Sequence, residues 1–216
     1  MSPSAQVTES GRIYAGESAA ERQARQRQQF MEAGLELFGS VGYRATSVRA
    51  LCRQAGLTDR YFYKNFSDTE DLLAAVYSAS LDALEAQVVR AMAPGLQGAD
   101  ADRLVEAGLD AFFAAFENAR VARVCWLEVL GVSPRIDALY ISRIEKFAAL
   151  LLAVARQMLP GWPLSQEESQ IVSVAMVGAV SQSAAHWLLS GYQAERRTLV
   201  SANARLLRGL FSTLPT

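Results

Sequence analysis

Apolar residues recur along most of this chain at intervals of three and four, the period of one face of a helix. Phe30, Gly34, Leu37, Phe38 and Val41 form one stripe, with Ser18 and Glu21 upstream in capping-box spacing and Gly39 and Gly42 as stop signals. Val48, Leu51, Cys52 and Ala55 form a second, shorter stripe that opens at Ser47 and stops at Gly56. Thr58 then caps a very short third helix, in which Phe62 and Phe66, with Leu57, turn toward the first two. Ser67 with Glu70 predicts the start of a long helix through Leu72, Leu73, Val76, Leu81, Leu84 and Val88 that ends near Pro94 and Gly95.

Helical patterns continue over residues 102 to about 118, 121–130, 134 to about 159, 165 to about 190 and 195–211, the fourth of these opened by Ser165 with Glu168. The alternating β-branched runs and hairpin dipeptides of strands are missing, as is any internal repeat. The pattern predicts an all-α fold of about nine helices, divided into a disordered arm at 1–17, a small three-helix unit at 18–66 and a larger helical unit at 67–216.

Composition refines this picture in three ways. With 216 residues and 51% hydrophobic content, the chain can bury a substantial core. Its net charge of −1 conceals an asymmetry: nine Lys/Arg stand against six Asp/Glu up to Phe66, and twelve against sixteen thereafter. A surface that seeks anions therefore belongs to the N-terminal part. Cys52 and Cys125 sit far apart on apolar helical faces, so neither a disulfide framework nor a metal-ligand spacing follows, and no cofactor is implied. The N-terminus lacks the basic-then-apolar order of a signal peptide, and the most apolar runs, 147–155 and 171–180, are about ten residues or fewer against the roughly 20 of a spanning helix. The expectation is a cytoplasmic protein with no membrane partner.

The chemistry concentrates in "LCRQAGLTDRYFYKNF", residues 51–66. Two short helices joined by a turn containing Gly have the form of a helix-turn-helix, whose second helix enters the DNA major groove. Arg60, Tyr61, Tyr63 and Lys64 fall on the outer side of that second helix. Tyr hydroxyls, Lys and Arg all donate to phosphate oxygens, and Arg60 can also fork onto guanine.

"FGSVGYRATSVRALCRQAGLTDRYFYKNFSDTEDLL", residues 38–73, resembles the N-terminal pattern of the tetracycline-repressor family of bacterial transcription regulators. Shared in order and spacing are a Phe, Gly-Tyr, Thr-Ser, Ala-Gly-Leu, an aromatic-rich recognition helix ending in Phe, and Glu-Asp-Leu. The resemblance implies that Thr46 and Ser47 meet a phosphate at the start of the second helix and that Tyr63 touches the DNA backbone. It places Lys64 at a position where the family often has an aromatic or basic residue, and Arg60 and Tyr61 at the variable, base-facing positions, with Thr58 and Asp59 opening the same helix. Where the family commonly has a phosphate-binding Lys, this chain has Ser67 and Thr69.

Beyond residue 67, the resemblance implies a homodimer, a palindromic double-stranded operator and a ligand-sensing helical unit. The stretch "IVSVAMVGAV", 171–180, is apolar on all sides and needs covering on all sides. Gly178, Ala179, Ser183, Ala184 and Trp187 are its candidate interface positions. Phe112, Phe113, Phe116, Trp126, Tyr140, Phe147, Met176 and His186 are candidates for a pocket that takes a small, mostly apolar effector. Asp110, Glu117 and Glu128 could form a cation site or belong to solvated faces. Two other classes compete: an all-α interaction protein that docks through its helix-turn-helix, and a helical enzyme. The second has one histidine, no phosphate loop, no metal spacing and no Gly-x-Ser-x-Gly elbow from which to build a mechanism.

Overall fold

A computed structural model describes residues 18–93, 101–159 and 161–213; the arm at 1–17 and the break at Pro94 and Gly95 lie outside the described residues. Among those described there are nine helices and no strand: α1 (Ala19–Ser40), α2 (Val48–Ala55), α3 (Asp59–Asn65), α4 (Thr69–Met92), α5 (Ala101–Ala115), α6 (Ala119–Trp126), α7 (Pro134–Met158), α8 (Gln166–Leu189) and α9 (Arg196–Ser212).

Most of the starts lie where capping chemistry puts them. Ser18 and Ser165 head reciprocal capping boxes with Glu21 and Glu168, and Ser47 accepts the Ala50 amide. Gly56, at φ +65°, ends α2 in the left-handed conformation that spares glycine a steric penalty. The start of α4 differs from the expected Ser67–Glu70 box. Asp68 is the cap and accepts the Asp71 amide at 2.7 Å, while the Ser67 amide donates to the Asp71 carboxylate at 3.2 Å. A carboxylate is the stronger acceptor for a helix-end amide, so the register moves by one residue.

α1, α2 and α3 close around an aromatic centre. The Phe30 ring meets Phe62 edge-on at 5.3 Å and Phe66 at 6.4 Å, and all three are buried. Arg27 locks the end of α3 by lying 4.2 Å above the Phe66 ring and donating to the Asn65 carbonyl at 2.8 Å. α4 then packs on α1 and runs among α5, α6 and α7, while α8 packs against α7 and α9 against α5. α4 and α8 are each 24 residues long and contain an 18-residue stretch of mean hydropathy 1.3, so by length and composition both are apolar enough to cross a membrane. The shorter spans expected above counted only the unbroken apolar runs. Ala between the runs keeps the average high, and midway along α4 Asp82 and Glu85 pair with Arg143 and Lys146 of α7.

The link between the small and large units is tight. Gly39 does not end α1, which continues through Ser40; a Cβ there would stand 2.6 Å from the Arg120 Cα and 2.8 Å from its carbonyl oxygen. Glycine allows α1 and α6 to touch backbone to backbone, and the Arg120–Glu36 ion pair at 2.7 Å flanks the contact. One turn further on, the Glu128 carboxylate accepts the Tyr43 amide at 2.7 Å and the Arg123 guanidinium at 2.9 Å. Arg44 donates to the Gly131 carbonyl at 3.3 Å. The turn between α1 and α2 is therefore held by α6 and the segment after it.

Two substitutions test this link. Gly39→Ala must displace backbone rather than a flexible side chain, and an overpacking cost of about 1–3 kcal/mol is expected in urea unfolding. Glu128→Ala leaves the Tyr43 amide without its acceptor and should cost about 1–3 kcal/mol, while Glu128→Gln, which keeps an oxygen acceptor there, should recover much of the loss. Equal losses in the two Glu128 variants would assign the stability to the charge rather than to the bond.

Candidate functional site

The first candidate site is the outer face of α2 and α3. Burying Phe62 and Phe66 fixes the rotation of α3, and with it Arg60, Tyr61, Tyr63 and Lys64 face outward, Tyr63 being 61% exposed. Arg49 and Arg53, one turn apart on α2, are exposed beside them. The sequence reading overlooked these two, although their spacing of four opposite the apolar stripe was a usable signal. Among the described residues none of these four cations has an ion-pair or hydrogen-bond partner on its side chain. In the larger unit Arg120, Arg123, Arg135, Arg143, Lys146, Arg196 and Arg208 are paired with carboxylates, while among the described residues Arg90, Arg156 and Arg205 are not.

The neighbouring hydroxyls divide. Ser47 is exposed and uses its oxygen as an acceptor, which leaves its hydrogen free to donate. Thr46 is buried and donates to the Gly42 carbonyl at 2.7 Å, so its hydroxyl faces inward and supports the turn instead of an outside anion. Thr58 caps α3 by position only and forms no cap bond, so its exposed hydroxyl is uncommitted. Asp59 spends one carboxylate oxygen on the Arg60 amide at 2.8 Å. Cys52, behind this face, has its thiol pKa raised by burial and by the Asp59 charge, which keeps it protonated.

The second candidate site is an apolar cavity of about 120 Å³ among α4, α5, α6, α7 and α8, partly open to solvent. Phe112, Trp126, Tyr140, Phe147 and Met176 line it, as the sequence reading expected. Phe113 and Phe116 do not. They are fully buried in the adjoining packing, Phe113 edge-on to Trp187 at 6.1 Å and Phe116 against Trp126 at 5.1 Å. His186 is corrected as well: it is exposed on the outer side of α8, away from the cavity.

Polar groups gather at one part of the cavity wall. Burial drives the Tyr77 hydroxyl pKa upward; Cys125 and Tyr140 add to the rise and Arg143 opposes it, which places the four together. The Cys125 thiol is pushed up to about 12 by burial and stays neutral. The Trp126 indole N–H is buried and finds no acceptor in the protein. The carboxylates considered for a cation site are committed elsewhere: Asp110 and Glu117 both pair with Arg196, at 2.9 and 3.1 Å, and Glu128 serves Arg123 and Tyr43.

The candidate interface residues of α8 also divide. Ala184, 1% exposed, and Trp187, whose indole donates to the Ala194 carbonyl at 2.8 Å, belong to the protomer's own core and are corrected to that role. Gly178 is exposed, while Ala179 and Ser183 are half-buried, Ser183 bonding to Asn203 of α9. Helix 171–180 is not covered on all sides within one chain: Ile171 is 63% exposed, and Val174, Ala175 and Gly178 also face out.

Residues 30–76 match the family model described as bacterial regulatory proteins, tetR family. No curated protein matches the chain. Among solved structures, a tetR-family transcriptional regulator from Mesorhizobium loti is similar with a TM-score of 0.74 at 13% identity, covering 90% of this chain and 99% of that one. The fatty acid degradation regulator FadR from Bacillus halodurans is similar at 0.71 and 17%, covering 84% and 94%. FadR from Bacillus subtilis, solved in complex with stearoyl-CoA, is similar at 0.66 and 16%, covering 83% and 96%. At these identities the structures speak for the fold alone. Over residues 30–76, which hold the helix-turn-helix, the chain is similar to the bacterial regulatory proteins of the tetR family.

Proposed function

We propose that this chain is a ligand-responsive transcription regulator, acting as a repressor in the cytoplasm, that binds a palindromic operator as a homodimer and leaves it when a small, mostly apolar effector occupies the cavity. One observation carries the reading: an outward face with four unpaired cations and exposed tyrosines is joined, through α6, to an apolar cavity. Unpaired cations on a folded surface await an anion from outside, and duplex DNA presents phosphates at the spacing of a helix-turn-helix. Ser47, Thr58, Tyr63 and Lys64 take the backbone; Arg60 and Tyr61 face the bases, with Asp59 beside them. Arg49 and Arg53 extend the phosphate track. Selection of bound fragments from random duplex DNA tests the reading directly, and recovery of no preferred sequence would favour the interaction-module reading.

Symmetry supports the dimer. Gly178 in α8 and Gly209 in α9 sit inside helices where glycine costs about 1 kcal/mol relative to alanine, yet a Cβ at either would meet nothing within 4 Å in the same protomer. They lie on faces that also expose Ile171, Leu189 (66%) and Leu206. A partner's helices approaching closely would explain both the glycines and the uncovered apolar stripe. The apolar cavity supports an effector whose buried part carries no charge; the stearoyl-CoA in complex with Bacillus subtilis FadR joins an apolar acyl chain to a multiply charged CoA. Occupancy reaches the DNA face through α6, which lines the cavity with Cys125 and Trp126, and the segment after it, which holds the α1–α2 turn through Glu128, and through α4, whose Leu72 and Val76 press on Gly34 of α1. An effector that prefers the DNA-free state by about 1.4 kcal/mol lowers operator affinity about tenfold.

Lys64→Ala should weaken binding similarly on specific and random duplexes and reduce the slope of log K against log salt by about 1 per subunit. Arg60→Ala should cost roughly 1–3 kcal/mol on the selected site and relax base choice there; equal loss on every sequence would make it a backbone contact. Thr69→Lys, at a position where relatives carry lysine, should strengthen non-specific binding. Sedimentation should find a dimer at micromolar concentration and monomers for Leu206→Glu or Gly178→Leu. Folded dimers in both variants would place the interface elsewhere.

A further inference from the structure

A second cavity, of about 340 Å³ and open to solvent, lies between α1, α4, the end of α5 and the start of α6. Val76, Ala79, Ser80, Ala83 and Gln87 present one face of α4 to it, while Tyr77, Leu81 and Val88 on the adjoining face line the apolar cavity; Leu84 borders both. From α1 it takes Gln28, Met31, Glu32 and Leu35, a single helical stripe. The groove therefore separates the first helix of the DNA-facing unit from the helix that enters the larger one.

Its chemistry differs from that of the apolar cavity. Glu32 is the one charged residue of the lining. The Gln28 amide nitrogen donates to one Glu32 oxygen at 3.0 Å, and the Gln87 amide nitrogen donates to the Ala111 carbonyl at 3.1 Å. The Ser80 hydroxyl donates to the Val76 carbonyl at 2.8 Å. With these donors anchored, the Gln28 and Gln87 amide oxygens, the Ser80 oxygen and the second Glu32 oxygen have no partner among the described residues. Asn118 is the exception, because its oxygen holds the Arg120 and Val121 amides at the start of α6 and its own amide hydrogens are left over. Acceptors from two helices and one negative charge thus share a groove whose other walls are Met31, Leu35, Val76, Leu84 and Val121.

We propose that this groove binds a compact organic monocation, an ammonium or amidinium group on a single aromatic or branched aliphatic body, and that its occupancy is a second input on duplex affinity. The cation sits against Glu32 and the anchored amide oxygens, and the body against Met31, Leu35 and Val121. One carboxylate with no cation beside it favours one positive charge and disfavours an anion. A bare metal ion would leave the apolar walls unused. The groove adjoins the closest approach of α1 to α4: a Cβ at Gly34 would stand 3.0 Å from Val76, which also lines the groove. A body lodged beside that contact bears on both helices, and the second input rests on the DNA-binding reading while the binding does not.

NMR titration of the full-length protein with naphthylmethylamine, naphthylmethanol and naphthylacetate, without DNA, tests the site. The amine should shift the amides of residues 28–35 and bind about fivefold more tightly than the alcohol, with the acetate weakest. Glu32→Gln keeps the oxygen that Gln28 bonds and removes the charge. It should weaken the amine about fivefold and leave the alcohol within twofold. Ala83→Phe, on an exposed position of α4, should fill the groove and abolish the shifts at 28–35. Equal binding of the amine by Glu32→Gln, or shifts confined to α7 and α8, overturns the proposal, the latter by placing the amine in the apolar cavity. Saturating amine should then change the affinity for the selected duplex about fivefold or more. Unchanged duplex affinity with the amine bound overturns the second input; failure to select any duplex overturns the DNA-binding reading instead.

Discussion

A backbone contact sets the geometry of this molecule. Where Gly39 meets Arg120, two helices approach more closely than any side chain would allow, and the α1–α2 turn is fastened beside them by Glu128. Packed interiors transmit displacement because they have little room to absorb it. With no rotamer at the junction to give way, the orientation of α3 relative to the cavity is fixed by how α6 sits. The α1–α6 contact, together with α4 packed on α1 at Gly34, ties the helix-turn-helix to the helices that line the cavity.

Local chemistry made the helices legible. Capping boxes at Ser18 and Ser165, the stop at Gly56 and the aromatic periodicity of α3 are decided by neighbours three or four residues away, and those neighbours are visible in the sequence. The outward placement of Arg60, Tyr61, Tyr63 and Lys64 followed from the same reasoning, since only one rotation buries Phe62 and Phe66 together. The start of α4 was less readable: Ser67 and Asp68 both can cap and both have an acid three residues on, so the choice turned on a difference in acceptor strength.

Errors of rotation and of long-range packing account for the remainder. Successive helical positions differ by about 100°, so Phe112 lines the cavity while Phe113 faces Trp187, and His186 faces solvent while Trp187 is buried. Sequence spacing could nominate the cluster but could not orient it within one residue. Gly39 read as a terminator because its partner, Arg120, is eighty-one positions away in the chain. Thr46 read as an outward hydroxyl because nothing local reveals that the Gly42 carbonyl takes its hydrogen. In each case the deciding atom belongs to another segment, or to another turn of the same one.

The unpaired cations of α2 and α3 have a consequence for the protein without its partner. Arg49, Arg53, Arg60 and Lys64 are exposed on two contacting helices, and none of them is ion-paired. The helices that carry them are only 8 and 7 residues long and contribute little helical stability of their own. What they pack on is the aromatic centre of Phe30, Phe62 and Phe66, with Arg27 stacked on its edge. The three rings hold the helices that present these cations, and a polyanion laid across them would supply the countercharge that their side chains lack within the chain. Dissolved salt takes that place when no duplex is present, so ionic strength that weakens the complex should firm the same three helices in isolation.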